Sequence, residues 1–452
     1  MFAGFICVAH SNVRTLCPQQ SMYVFISGKN WRLSLAELVS FFKARKLSFR
    51  VASFSKSFFV VTTESTLDPS LLDSLGGIIK IGRIISQIPS EAIEDAFLHA
   101  EKRALAQVRM CLQSDNVFGD LFKTYPTRFI FGVSLYFENP RLLRFSKKMQ
   151  RFVGSCFKDE LASRGAKAKF MGFPKSREFP QLTHVEVLKK KLIEEGVEIL
   201  FCIGREYAFV SRTLAVHNPF EFQKRDVCRP IQRKIFSIPP RLAKIMVNLS
   251  KCLPGKVLLD PFCGVGTILQ EALLIKAQVI GMDINSWCVE ASCSNLGWLR
   301  NEYGLGQAKY TILQGDSRKL TEKINEKTVD CIVTEPDLGP ALRHLPTESY
   351  AKRITDKLNP LYYDFLKGAY KALKADGTLV LVTPYVRTRS GSFVTVYLED
   401  KVEAIGFKIV QPFEKEVFAS KASSVEELTR ISSFVDMEKR HKIGREITIL
   451  QK

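Results

Sequence analysis

A chain of 452 residues with 46% hydrophobic content is about three times the size of a typical domain and carries enough apolar side chains for two or three cores. Lys and Arg number 66 against 46 Asp and Glu, a net charge of +20 that favours a polyanionic partner, because neutralised phosphates release counterions. The 11 cysteines are scattered without a Cys-x-x-Cys pair, which argues against a disulfide framework or a structural zinc and for a reducing cytoplasm, and no run is long and uncharged enough to cross a bilayer.

In chain order, residues 1–21 hold a short apolar stretch, Phe2 to Ala9, with no basic leader, and are expected to be a tail or an upstream extension. From Met22 the pattern predicts a strand (Tyr23 to Ser27), an amphipathic helix (Leu33 to Ala44), strands Phe49 to Phe54 and Phe58 to Thr62, a short helix, then Gly76-Gly77 and the apolar run Ile78 to Ile88. A connection to Tyr125 follows, with one helix around Glu91 to Cys111. Residues 22–125 thus read as one small α/β domain with its connecting helix.

A second α/β domain, 126–217, opens with the strand Arg128 to Phe137. Its helix, Leu142 to Leu161, puts Leu142, Phe145, Met149, Phe152, Val153 and Cys156 at helical spacing, and Arg144, Lys147, Lys148, Arg151 and Lys158 largely on other faces. One side packs and the other is cationic. A helix at Val185 to Ile193 and strands Ile199 to Ile203 and Tyr207 to Val216 complete it. From Pro126 to Lys234 there are 22 basic and 11 acidic residues, about half of the chain's excess. Residues 218–240, rich in charge and proline, read as a linker. Beyond them, 241–452 alternates β and α elements.

Lys256 to Ile275 predicts a strand ending at Asp260, the turn Pro261-Phe262-Cys263-Gly264-Val265-Gly266-Thr267, and a helix. Gly264 and Gly266 let the backbone approach a ligand at the carboxyl end of a first strand, where open α/β sheets bind cofactors. The next strand, Gln278 to Met282, ends in Asp283, 23 residues after Asp260 and placed to accept ribose hydroxyls. Asp316 ends a third strand and could take an adenine amino group. The third glycine of a dinucleotide fingerprint is replaced by Leu269, and the loop begins with an acid. A carboxylate there repels pyrophosphate but suits the cationic amino-acid portion of S-adenosyl-L-methionine. The candidate cofactor residues are Asp260, Pro261, Gly264, Gly266, Asp283, Ile284 and Asp316; no metal ligands are expected.

Asp260 to Thr267 (Asp-Pro-Phe-Cys-Gly-Val-Gly-Thr) resembles the first motif of amino-methyltransferases acting on nucleic acids. Upstream, Phe236-Ser237-Ile238-Pro239-Pro240-Arg241-Leu242-Ala243 is similar to the segment packed around the methionine portion of their cofactor. With Arg212-Thr213-Leu214-Ala215-Val216, Arg225-Asp226 and Arg229-Pro230, these resemble the THUMP-domain tRNA methyltransferases that make N2-methylguanosine at position ten of tRNA in archaea and eukaryotes. The resemblance covers nearly everything from Met22 onward. It implies an α/β protein with a ferredoxin-like N-terminal domain, a THUMP domain holding tRNA, and a C-terminal Rossmann-like class I methyltransferase domain. Arg212 joins Arg144, Lys147, Lys148, Arg151 and Lys158 as a candidate RNA contact. A small activator subunit, needed by some relatives, is left open.

After the strand Cys331 to Val333 comes Glu335-Pro336-Asp337-Leu338-Gly339-Pro340, in the slot where that family places Asp or Asn, two prolines and an aromatic. An exocyclic amine becomes a better nucleophile when a side-chain oxygen and a backbone carbonyl accept its protons and aim its lone pair. Glu335 and the Pro336 carbonyl are the candidate acceptors. Asp337 sits in the slot where a related archaeal variant carries an aromatic, which leaves base stacking unaccounted for there; Tyr385 or Tyr350 could substitute. The helix Leu361 to Leu373, the strand Gly377 to Thr383 and an antiparallel pair of Phe407 to Phe418 with Ile447 to Leu450 are expected to finish the domain. Gly444-Arg445-Glu446, before the last strand, has no assigned chemistry. The alternatives are a catalytically impaired RNA-binding protein of the same fold, or a methyltransferase acting on another base.

Overall fold

The computed structural model describes residues 21–122, 128–172, 179–233, 237–419 and 423–452. The expected tail, apart from Ser21, and Phe236 lie outside these. The described residues form two compact units: one of Ser21–Ile26, Ser48–Pro69 and Lys80–Val216, the other of Ser27–Leu47, Ser70–Ile79 and His217–Lys452.

The first unit is built on strands β1 (Ser21–Ser27), β2 (Phe49–Phe54), β3 (Phe58–Thr63), β4 (Ile78–Pro89), β5 (Arg128–Phe137), β6 (Lys167–Met171), β7 (Gly196–Ile203) and β8 (Tyr207–Val216). They make one sheet in the order β2-β3-β1-β4-β8-β7-β5-β6. The boundary expected near residue 125 therefore falls within a single continuous sheet. β4 pairs antiparallel with β8 from Lys80↔Val216 to Pro89↔Tyr207, so backbone groups that would otherwise form open edges satisfy each other. Phe131, Val133, Leu135, Ile199, Phe201 and Val210 share a core with the helix Ser146–Ser163. The single helix expected at 91–111 is instead two helices, Ser90–Phe97 and Lys102–Leu112, and a further helix, Asp115–Phe122, follows. Ala100, at φ +59°, turns the chain between the first two. On the other sheet face Lys80 and Glu198 form a fully buried ion pair. Ser134 Oγ (2.6 Å) and Thr213 Oγ1 (2.8 Å) donate to the carboxylate, and Lys80 Nζ donates to the Leu182 carbonyl (2.8 Å).

The second unit's strands are β9 (Val257–Asp260), β10 (Gln278–Asp283), β11 (Tyr310–Gln314), β12 (Val329–Thr334), β13 (Leu373–Arg387), β14 (Phe393–Thr395), β15 (Lys408–Ile409), β16 (Ser433–Asp436) and β17 (Ile443–Gln451). The path runs β11-β10-β9-β12-β13-β17-β15, with β14 on β13 and β16 on β17. β9 to β13 are parallel, and β17 is antiparallel to β13. Strand order reverses between β9 and β12, which opens a crevice at their carboxyl ends, the place where such sheets take ligands. The main partner of the last strand is β13; the expected pairing with 407–418 shrinks to Lys408 and Ile409. The 218–240 segment contains a helix, Pro219–Val227, capped by Asn218 and begun by proline, and two of its arginines, Arg225 and Arg229, turn inward: Arg225 Nε donates to Glu271 Oε1 (2.6 Å).

Helix Trp31–Ala44 also belongs to this unit. Its Glu37, fully buried, accepts from the Gly76 and Gly77 amides (2.7 and 2.6 Å) and from Asn248 Nδ2 (2.7 Å). Arg241 donates twice to the Gly76 carbonyl. A Cβ on Gly76 would collide with the Arg241 backbone, so glycine is required there.

Candidate active site

Three carboxylates converge on the crevice because each ends, or follows, a strand flanking the reversal point. Asp260 ends β9, Asp283 ends β10 and Glu335 follows β12. Asp260 is buried; Thr334 Oγ1 (2.7 Å) and the Phe262 amide (3.2 Å) donate to its Oδ1. Both donors are neutral. Burial pushes its pKa up to about 7, the two hydrogen bonds pull it down, and the charges of Asp283 and Glu335 add to the rise. Such a group is suited to a cation, which would restore its charged form.

Gly264 has φ +53°, and no atom lies within 4 Å of where a Cβ would stand, so one side of the turn is open for close approach. Gly266 (φ +85°) starts the helix Thr267–Leu274 and packs on Ser292, where a Cβ would sit 3.1 Å from Oγ. The Gly264 amide donates to Asp283 Oδ2 (3.0 Å) and the Asn285 amide to Oδ1 (2.9 Å). The carboxylate is thereby oriented with lone pairs to spare. Pro261 is buried beneath the turn, whereas Ile284 is 66% and Trp287 45% exposed, an apolar flank beside Asp283. Asp316 follows β11, and Gly315 donates its amide to the Asp283 carbonyl (3.0 Å), which keeps the two acids near each other. Its carboxylate is occupied by Arg318, whose Nε lies 2.9 and 3.0 Å from its two oxygens, so it is less open to an adenine than its position suggested.

Glu335 is largely buried and forms a two-pronged ion pair with Arg445 of β17: Nε to Oε2 at 2.5 Å and Nη2 to Oε1 at 3.2 Å. Sequence reading missed this role of Arg445, which is 110 residues away and has no local signal. Pro336 is buried. Asp337 is exposed, and its Oδ1 accepts from the Gly339 amide (2.9 Å), making a tight turn. Buried Tyr362 donates to the Asp337 carbonyl (3.0 Å) and so anchors the loop from helix Glu348–Ala372. Tyr385 stacks on Phe393 with ring centroids 4.5 Å apart, and Tyr350 is 41% exposed under the Arg353 guanidinium. Ser237, Arg229 and Thr267 also meet: Arg229 Nη1 donates to Thr267 Oγ1 (2.7 Å) and Nη2 to Ser237 Oγ (3.1 Å).

In the first unit, Arg144, Lys147, Lys148, Arg151 and Lys158 are exposed along one element, the 3-10 turn Pro140–Phe145 and its following helix. Arg212 lies on β8, partly buried and directly across from Arg83 of β4. It does not belong to that helical face.

Residues 231–395 match the family model described as UPF0020, RMKL-like, methyltransferase domain. The second unit carries a methyltransferase domain. The chain is 35% identical over 179 residues to a tRNA (guanine(10)-N2)-dimethyltransferase of Methanothermobacter thermautotrophicus (39% of this chain, 47% of that one) and 33% identical over 240 residues to that of Pyrococcus abyssi (53% and 64%). It is also 38% identical over 157 residues to the enzyme of that name from Methanocaldococcus jannaschii (33% and 43%). The matches span roughly half of those relatives. The crystal structure of TrmN from Thermus thermophilus shares the fold, with a TM-score of 0.51 at 17% identity over 95% of this chain and 99% of that one. Asp260, Asp283 and Glu335, which line the second unit's crevice, all fall within the residues of the methyltransferase-domain match. Among the described residues no helix is long and apolar enough to cross a membrane.

Proposed function

We propose that the protein is an S-adenosyl-L-methionine-dependent tRNA methyltransferase acting on the exocyclic N2 amine of a guanosine. The observation that carries this is Asp260, a buried carboxylate with only neutral donors, at the reversal point of a methyltransferase sheet beside an open glycine turn. Asp260 would hold the cationic amino-acid end, Asp283 the ribose hydroxyls, and Ile284 an apolar edge of the nucleoside. Bound S-adenosyl-L-methionine supplies an electrophilic methyl group. Glu335 and the Pro336 carbonyl accept the amine protons and direct its lone pair, and the proton lost on transfer passes to a Glu335 oxygen. Residues 126–217 act as a THUMP-type RNA-binding region, with the cationic helix face and, separately, Arg212 meeting phosphates. The names of the archaeal relatives support guanosine N2 as the target.

The test is incubation of the full chain with unmodified tRNA and labelled cofactor, followed by nucleoside mass spectrometry. N2-methylated guanosine that disappears on Glu335→Ala supports the reading; no transfer, with cofactor still bound, would instead support a catalytically impaired RNA-binding protein. That second reading draws on one observation, the absence of an aromatic at Asp337.

A further inference from the structure

Glu335 is one methylene longer than the Asp or Asn expected in its slot, and a longer side chain has one more rotor to fix before it can meet an amine. The structure holds it from an unexpected direction. β12, which delivers Glu335, borders β13, and β13 borders β17, which carries Arg445 in register with Pro384. Two strand spacings amount to about 10 Å, within reach of an extended arginine side chain. The guanidinium closes on both Glu335 oxygens, which fixes the carboxylate plane as well as its place. Each oxygen keeps a further lone pair.

We infer that Arg445 is the positioning residue of the transfer reaction: it clamps Glu335 in the rotamer that accepts the amine proton, and so substitutes for the shorter acid. This rests on the proposed function. Arg445 is itself held from the far side, since β16 pairs with β17 and sets Asp436 opposite it. Burial opposes its charge, but Glu335 and Asp436 keep its pKa above the ordinary value. The titratable groups around the pair are Asp436 on β16, Asp260 on β9, and Asp337 and Tyr362 at the loop and its anchoring helix. Without Arg445, Glu335 loses both its counter-charge and the fork that fixes its carboxylate plane.

The experiment compares R445M and R445K, each alone and in an E335Q background, in the full chain, by steady-state methylation of tRNA. R445M is expected to lower kcat by roughly 30- to 100-fold with KM for tRNA within about 3-fold. R445K, which keeps the charge but not the fork, should recover some of the lost kcat. In the E335Q background R445M should have no further effect, because its action runs through Glu335. Equal losses in both backgrounds, or a kcat for R445M within about 3-fold of the parent, overturn the inference while the proposed function stands. If R445M does not fold, R445K decides the same question: an unchanged kcat overturns the inference. A parent protein that transfers no methyl group overturns both.

Discussion

Thr334 donates its hydroxyl to Asp260 across 2.7 Å, linking the end of β9 to the end of β12. The carboxylate proposed to hold the cofactor and the strand that delivers Glu335 are thus joined by a side-chain hydrogen bond, and a change at either is felt at the other.

The protonation of Asp260 gives a pH signature. Its pKa is raised by burial to about 7, above the unfolded value, so the ligand-free protein binds this proton in the folded state. Its contribution to stability is therefore present at low pH and is lost as pH rises from about 4 towards 7. Urea unfolding should show this fall in the parent and a flatter profile in Asp260→Asn. Affinity for S-adenosyl-L-methionine, by calorimetry, should instead increase through about pH 7 in the parent, as the carboxylate gains its charge.

Gly264→Val combines a left-handed backbone strain with filling of the open side of the turn. Strain of this kind costs on the order of 1 kcal/mol, a small loss in a thermal melt. Cofactor affinity should fall much further, by at least about 10-fold, or about 1.4 kcal/mol. A parent-like affinity would mean that the ligand does not approach Gly264.

Breaking the buried pair in the first unit should be severe. Glu198→Ala leaves the Lys80 ammonium and two hydroxyls without their acceptor and should destabilise by about 3–5 kcal/mol in urea. Lys80→Met with Glu198→Leu removes both charges and should cost far less than the single change.

Alanine at Lys147, Lys148 and Arg151 together removes three exposed cations from one helix. If each meets a phosphate of tRNA, the slope of log affinity against log salt should shrink by about 3, with binding weaker at low salt. Stability should stay within about 0.5 kcal/mol, since these are solvated positions.

Most of the methyltransferase unit was legible because several of its strands are short apolar runs that end in acids; Asp260 and Asp283 were read from strand ends, and Glu335 from the resemblance of its loop to a known catalytic slot. What could not be read were relations between distant segments. Arg445 reaches Glu335 across an intervening strand, and β4 finds β8 well over a hundred residues later; neither has a period or a spacing to betray it. The 218–240 stretch looked like a linker because charge and proline are surface habits, yet Arg225 and Arg229 are buried by partners, Glu271 and Thr267, in the helix Thr267–Leu274. The break at Ala100 was hidden because a helical pattern of side chains continues on both sides of one left-handed residue.

Glu37 gives the last consequence. The methyltransferase unit borrows a helix and a glycine corner from the first eighty residues, and Glu37, Gly76 and Asn248 meet inside it. No single cut in the polypeptide can therefore release this unit whole, and an exchange of catalytic halves between such proteins by one crossover near residue 217 would leave a buried acid on one product and its amide partner on the other. Evolution must carry the early segment and the late one as a single inheritance.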